Sequence, residues 1–152
     1  MKEKYFEDFS VGEKIHTNEK TLSTEEIIEF AELYDPQPFH VDEKAAAESP
    51  YGGIIASGFH TIGTSFRLFI DTGVIGTTGM GSPGMDSIRW VRPVRPGDKL
   101  RVEAEVIETR ASRSEPGRGI VLMDFRTFNQ ENDLVLSMRS VNLVRRRDSG
   151  NI

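Results

Sequence analysis

The chain has 152 residues, enough for one domain that buries roughly two-thirds of its unfolded surface without a metal or disulfide staple. It has no cysteine, which excludes thiol nucleophiles, cysteine-bound zinc and disulfides. A formal net charge of -5 argues against nucleic acid as a partner. No uncharged run approaches membrane-spanning length, and the start Met1-Lys2-Glu3-Lys4-Tyr5 has no apolar signal region, so a cytoplasmic protein with no membrane partner is expected.

Residues 14–22 read as a first strand. Ser23-Thr24-Glu25-Glu26 forms a capping box, in which Ser23 accepts the N3 amide and Glu26 reaches back to the N-cap amide. The helix it opens carries Ile27, Ile28, Ala31 and Leu33 and stops before Pro36. A short helical turn follows from Asp42-Glu43-Lys44 through Ala45, Ala46 and Ala47, and ends before Pro50. Over 57–70 the apolar positions Phe59, Ile62, Phe66, Phe69 and Ile70 have helical spacing, while Gly58, Thr61, Gly63, Thr64 and Ser65 make a small-residue face suited to close packing on a sheet. Residues 73–84, rich in Gly and Thr, read as a loop.

Thereafter the period changes to two. Residues 85–94 form a strand that ends in the turn Pro93-Val94-Arg95-Pro96-Gly97-Asp98. Leu100, Val102, Ala104 and Val106 alternate with Arg101, Glu103 and Glu105, the pattern of a half-buried antiparallel strand. Two further strands, 119–129 and 133–144, flank the turn cluster Asn129-Gln130-Glu131-Asn132-Asp133. One strand, helical segments and then four strands predict an α+β domain with an antiparallel sheet wrapped round a central helix. One face of that sheet lies open unless a second copy covers it, and a homodimer is expected on that ground.

The chemistry concentrates in Asp35-Pro36-Gln37-Pro38-Phe39-His40. Prolines fix φ and restrict the preceding residue, so a stiff, extended segment is expected to hold Asp35 and His40 at a set separation. A carboxylate and an imidazole are the groups an enzyme uses to move a proton and a water. Gly52-Gly53-Ile54-Ile55-Ala56-Ser57-Gly58 then leads into the central helix and offers backbone N–H groups to a developing negative charge.

These residues resemble the MaoC-like, (R)-specific enoyl-CoA hydratase family, whose motif is roughly Gly/Tyr-Asp-x-Asn-Pro-x-His followed by a Gly-rich stretch and the central helix. Asp35, Pro38 and His40 match in type and spacing, Ala56-Ser57-Gly58 matches the segment before the helix, and Pro93-x-x-Pro96-Gly97-Asp98 matches the turn after the next strand. The resemblance runs from about Phe6 to Val144, with a basic tail at 145–152, and implies a single hotdog domain. It implies Asp35 and His40 as the acid/base pair, the Gly58 N–H as oxyanion hole, and Gln37, Ser57 and Phe39 as substrate-binding positions. The reaction implied is reversible addition of water to a trans-2-enoyl-CoA thioester, giving (3R)-3-hydroxyacyl-CoA with no cofactor and no metal. Gln37 stands where the family has Asn. The residues do not say which of Asp35 and His40 activates water. Other hotdog proteins are acyl-CoA thioesterases, which would use the same oxyanion hole, and a non-catalytic acyl-CoA-binding module is a third reading.

Blander readings stand beside these. Asp35-Pro36 alone is a surface turn, and Gly58 alone is a close-packing glycine. His60 reads as a packing residue and His16 as an exposed strand residue. A metal site from His16, His40 and His60 lacks ligand spacing. Ser57 has no nucleophile-elbow sequence, and its hydroxyl reads as a helix cap. Gly79-Met80-Gly81-Ser82-Pro83-Gly84 fits a dinucleotide pattern in the wrong context; the loop is a mobile pocket wall or a connector. Arg145-Arg146-Arg147 would meet CoA phosphates or form a frayed, solvated tail. Arg89, Arg92 and Arg95 are unranked candidates for the same phosphates, and Trp90 reads as a packing or interface residue.

Overall fold

A computed structural model describes residues 2–147. Five strands, β1 (Lys14–Thr21), β2 (Gly84–Trp90), β3 (Lys99–Ala111), β4 (Arg118–Phe128) and β5 (Leu134–Arg145), make one antiparallel sheet in the order β1-β3-β4-β5-β2. After one turn of 3-10 helix (Phe6–Asp8) and β1 come α1 (Thr24–Tyr34), α2 (Pro38–Val41), α3 (Glu43–Ala47) and α4 (Gly58–Ile70).

The period-two alternation decides the inner face. Leu100, Val102, Ala104 and Val106 of β3, Val121, Met123 and Phe125 of β4, and Leu136, Met138 and Val144 of β5 are all buried. The polar intruders Ser140 and Asn142 are satisfied: Ser140 donates to Asn142 Oδ1 at 3.0 Å, and Asn142 Nδ2 donates to Val121 O at 3.2 Å. Across this face lies α4, its Phe69 ring 4.9 Å from that of Phe125.

Helix α4 buries Thr61, Ser65, Leu68 and Phe69, whereas Phe59 and Ile70 of the apolar pattern are exposed. Its small polar residues face inward because they are satisfied there. Ser65 Oγ lies 2.7 Å from both Thr61 O and Thr127 Oγ1 of β4, so the helix approaches the sheet closely without an orphaned hydroxyl. Likewise Leu33, counted in the apolar pattern of α1, is exposed, and Ile27 and Ala31 carry the burial.

Other sequence expectations need correction. Strand β2 stops at Trp90, short of 94, because Pro93 has no N–H for the ladder and the strand is already bulged at Ser87, which has φ 56. The 73–84 loop is neither a mobile pocket wall nor loose: Met80 N donates to Leu143 O at 2.8 Å, Leu143 N to Gly81 O at 3.0 Å, and Arg145 N to Thr78 O at 2.8 Å, which ties it to β5. Arg145 to Arg147 are not frayed. Arg145 ends β5, and Arg146 and Arg147 pair with Glu7 and Asp8 of the 3-10 turn; residues 148–152 lie outside the described residues.

The outer face of the sheet carries ion pairs and, beside them, the half-buried apolar side chains Ile120, Leu122, Val141 and Leu143 of β4 and β5. Arg126 bridges Glu103 at 3.3 Å and Glu105 at 3.5 Å, and Arg139 grips Asp124 with two bonds of 2.7 and 3.1 Å. Exposed apolar side chains also sit at the end of edge strand β2, at Trp90 and Val91. Among the described residues no helix is long and apolar enough to cross a membrane.

Candidate active site

Helix α1 begins on the capping box read from the sequence, with Glu26 N donating to Ser23 Oγ at 3.1 Å and Ser23 N to Glu26 Oε1 at 3.2 Å. It ends at Asp35, whose N–H still bonds Ala31 O at 2.7 Å while its backbone leaves the helical region. Pro36 forbids continuation. The 35–40 segment is not extended throughout, however. Gln37 is extended, but Pro38 takes the first position of α2, where a missing N–H costs nothing and φ is already suitable. The single turn of α2 swings His40 back, and its Nε2 comes to 3.3 Å from Asp35 Oδ2.

His40 is buried, and its Nδ1 lies 2.7 Å from Ile55 O. A carbonyl only accepts, so Nδ1 carries the proton and donates it. Nε2 is the ring nitrogen that faces Asp35. The carboxylate of Asp35 is held from three sides: Gln37 Nε2 donates to Oδ1 at 2.7 Å, Ser57 Oγ donates to Oδ2 at 2.7 Å, and His40 stands beside Oδ2. Burial pushes the Asp35 carboxyl up, but the hydrogen bonds from Gln37 and Ser57 and the charge of His40 together outweigh it and hold the group below its ordinary value.

A depressed value makes the ionised form a source of stability. That contribution is complete above the unfolded value of about 3.9 and is lost as pH falls through the lower folded value. Asp35→Asn is therefore expected to lower the melting temperature more at pH 7 than at pH 3. Equal shifts at the two pH values would contradict the assignment.

Ser57 is fully buried and serves both ends of the site. Its hydroxyl donates to Asp35 and accepts from Phe59 N at 3.3 Å, capping α4. It thus faces Asp35 rather than open space. Gly58, the first residue of α4, has an N–H with no intrahelical partner, at the positive end of a 13-residue helix. Ser57→Ala removes a cap and one donor to Asp35, and is expected to cost about 1–2 kcal/mol in chemical denaturation.

Asp35, Gln37, Phe39, His40 and Gly58 all line one cavity of about 420 Å³. Tyr51, Phe59, Trp90 and the 91–94 stretch also line it. No sequence pattern marks Tyr51 as a site residue, and Trp90 reads from sequence as a packing or interface residue. The wall after β2 reaches the site through Ala56 N, which donates to Val94 O at 2.8 Å, a pairing that no local pattern announces. Of Arg89, Arg92 and Arg95, Arg92 alone lines the cavity. Gly58 also packs closely: a Cβ there would lie 2.4 Å from the Trp90 indole. Its two readings, amide donor and packing glycine, are therefore compatible.

His60 stacks on Phe30 with ring centroids 4.5 Å apart and planes 9° apart, and lines a separate cavity from His40. Burial lowers its pKa, Glu26 opposing and Lys20 adding to the effect. His16 is exposed on β1, 4.0 Å from Glu103. Among the described residues no three His, Asp or Glu are grouped to hold a metal ion.

The chain matches the model of the MaoC like domain over residues 8–122. It is 35% identical over 125 residues to the uncharacterized protein YdeM of Bacillus subtilis, covering 82% of this chain and 87% of that one. It is 36% identical over 109 residues to a 3-hydroxybutyryl-CoA dehydratase of Methylorubrum extorquens, covering 68% of this chain and 64% of the enzyme. The crystal structure of a MaoC-like dehydratase from Rhodospirillum rubrum superposes with a TM-score of 0.84 at 36% identity, over 94% of this chain and 97% of that one. An (R)-hydratase from Pseudomonas aeruginosa gives 0.73 at 27% identity, over 94% and 86%. A double-hotdog protein of Mycobacterium tuberculosis, 19% identical, gives 0.78 over 96% of this chain and 45% of its own, and so shares the fold. With its five-stranded sheet laid round one helix, the chain is a hotdog protein and belongs to the MaoC-like family of dehydratases and hydratases.

Proposed function

We propose that the protein adds water reversibly across the double bond of a trans-2-enoyl-CoA thioester to give (3R)-3-hydroxyacyl-CoA. The carrying observation is the placement of His40 Nε2 against Asp35 Oδ2 at 3.3 Å, with Nδ1 locked to the Ile55 carbonyl, in the same cavity as the Gly58 amide. A 3-hydroxybutyryl-CoA dehydratase and an (R)-hydratase among the relatives support the same chemistry.

In this reading the thioester oxygen accepts the Gly58 N–H, which meets the negative charge that develops there as the enolate forms. One such donor is typically worth about 10²–10³ in rate. His40 Nε2 takes a proton from water as its oxygen bonds to C3, and Asp35 stabilises the imidazolium so formed. The same Nε2 then returns a proton to C2. One group serving both carbons puts hydrogen and hydroxyl on the same face, a syn addition. Gln37 and Ser57 keep Asp35 ionised and oriented, and Phe39 contributes an apolar wall. Arg92, held by Asp133 only at 3.9 Å, is free to turn toward the phosphates of CoA. The exposed end of β2 is the surface we assign to a second copy.

The test is to mix the protein with crotonyl-CoA and follow the ultraviolet absorbance of the conjugated enoyl thioester, with chiral analysis of the product. A fall in absorbance with formation of the 3R isomer is expected. Release of free CoA without loss of the double bond would indicate thioester hydrolysis and overturn the reading.

A further inference from the structure

The chain has one tryptophan, and it lies against the glycine that would bind the thioester oxygen. A Cβ at Gly58 would stand 2.4 Å from both Nε1 and Cε2 of Trp90 and 2.8 Å from Cζ2. The indole therefore occupies the space beside the amide that a side chain would otherwise take. It is held there from two directions. Trp90 pairs with Leu136 of β5, and the next residue, Val91, donates its N–H to Val135 O at 2.8 Å. On its flank the Phe59 ring meets it edge-on, with centroids 6.0 Å apart and planes at 72°. Asp35 and His40 also line this cavity.

We propose that Trp90 is a specificity-determining residue that restricts the acyl group to one unbranched at C2, an inference that rests on the hydration reading above. A thioester oxygen at the Gly58 N–H places C2 only two bonds away, between the indole and the proton-transferring pair. A hydrogen at C2 fits that gap, and a methyl group competes with the indole for it. An apolar pocket distinguishes one methyl by about 10–200-fold.

Two measurements test this. In the first, Trp90 emission is recorded during titration with butyryl-CoA, which is saturated and cannot be hydrated, and with free CoA. A change with butyryl-CoA that free CoA does not produce is expected; the same change with both would put the indole beside the carrier rather than the acyl group and overturn the proposal. In the second, kcat/KM is compared for crotonyl-CoA and 2-methylcrotonyl-CoA. The native protein is expected to favour crotonyl-CoA, and Trp90→Ala to narrow the ratio at least tenfold. Trp90→Leu provides the same comparison if the alanine variant does not fold. A ratio unchanged in the folded variant sinks the proposal. If the native protein hydrates neither thioester, the hydration reading fails by itself, and the emission titration still decides whether Trp90 borders the acyl group.

Discussion

His40→Ala is expected to lower kcat for enoyl-thioester hydration by about 10²–10⁴-fold, the usual contribution of a positioned general acid–base. The substitution removes the one ring nitrogen placed between Asp35 and the cavity, and no other described side chain stands ready to replace it: His60 is stacked on Phe30 and lines a separate cavity. It also removes the donor to Ile55 O, so some stability goes with it. His40→Asn separates the two effects. Its amide can donate to the same carbonyl but has no titrating nitrogen, and it is expected to regain stability without regaining turnover. Steady-state kinetics beside thermal melts will show whether this holds; near-native kcat in either variant would remove His40 from the chemistry.

Gly58→Ala is expected to destabilise the fold by about 1–3 kcal/mol, the usual cost of forcing a methyl group into a filled space. The clash is with the Trp90 indole at 2.4 Å, and the backbone beneath that ring is anchored to β5. Relief must come from moving either the ring or the start of α4. The second movement displaces the 58 amide, so hydration falls as well although the N–H is retained. The double variant Gly58→Ala with Trp90→Ala decides between strain and some other cost. If the indole is the obstacle, the two losses are less than additive, because the second substitution removes what the first collides with. Strict additivity in urea denaturation would mean that the glycine is needed for a different reason.

Local chemistry was the legible part of this chain. The Ser23 and Glu26 box needs only four residues to form, and both of its bonds are made. The alternation in β3 announces its inner face because side chains there have only two directions. The residue types Asp35 and His40 could be read as an acid/base pair, but the shape of the segment could not. Pro38 reads as a bar to helix, yet at the first helical position it begins one. Helix α4 is legible in part: its small face packs on the sheet at Thr61 and Ser65, with Ser65 bonded to Thr127 of β4, but the apolar spacing does not show that Phe59 and Ile70 lie exposed. The contacts that complete the site, Ala56 with Val94 and Gly58 with Trp90, join parts of the chain that no periodicity links.

The hydroxyl of Ser57 joins two parts of the site that are 22 residues apart in the chain. Between them the backbone makes an excursion through α3 that is closed at its base, where Ile55 N meets Phe39 O at 3.2 Å and His40 meets Ile55 O at 2.7 Å. The distance from carboxylate to helix start is thus fixed by one side chain and these closing bonds, whatever the excursion does. Asp35, His40 and the Gly58 amide are tied together by these bonds, and the length of chain looping out between them is decoupled from the width of the site.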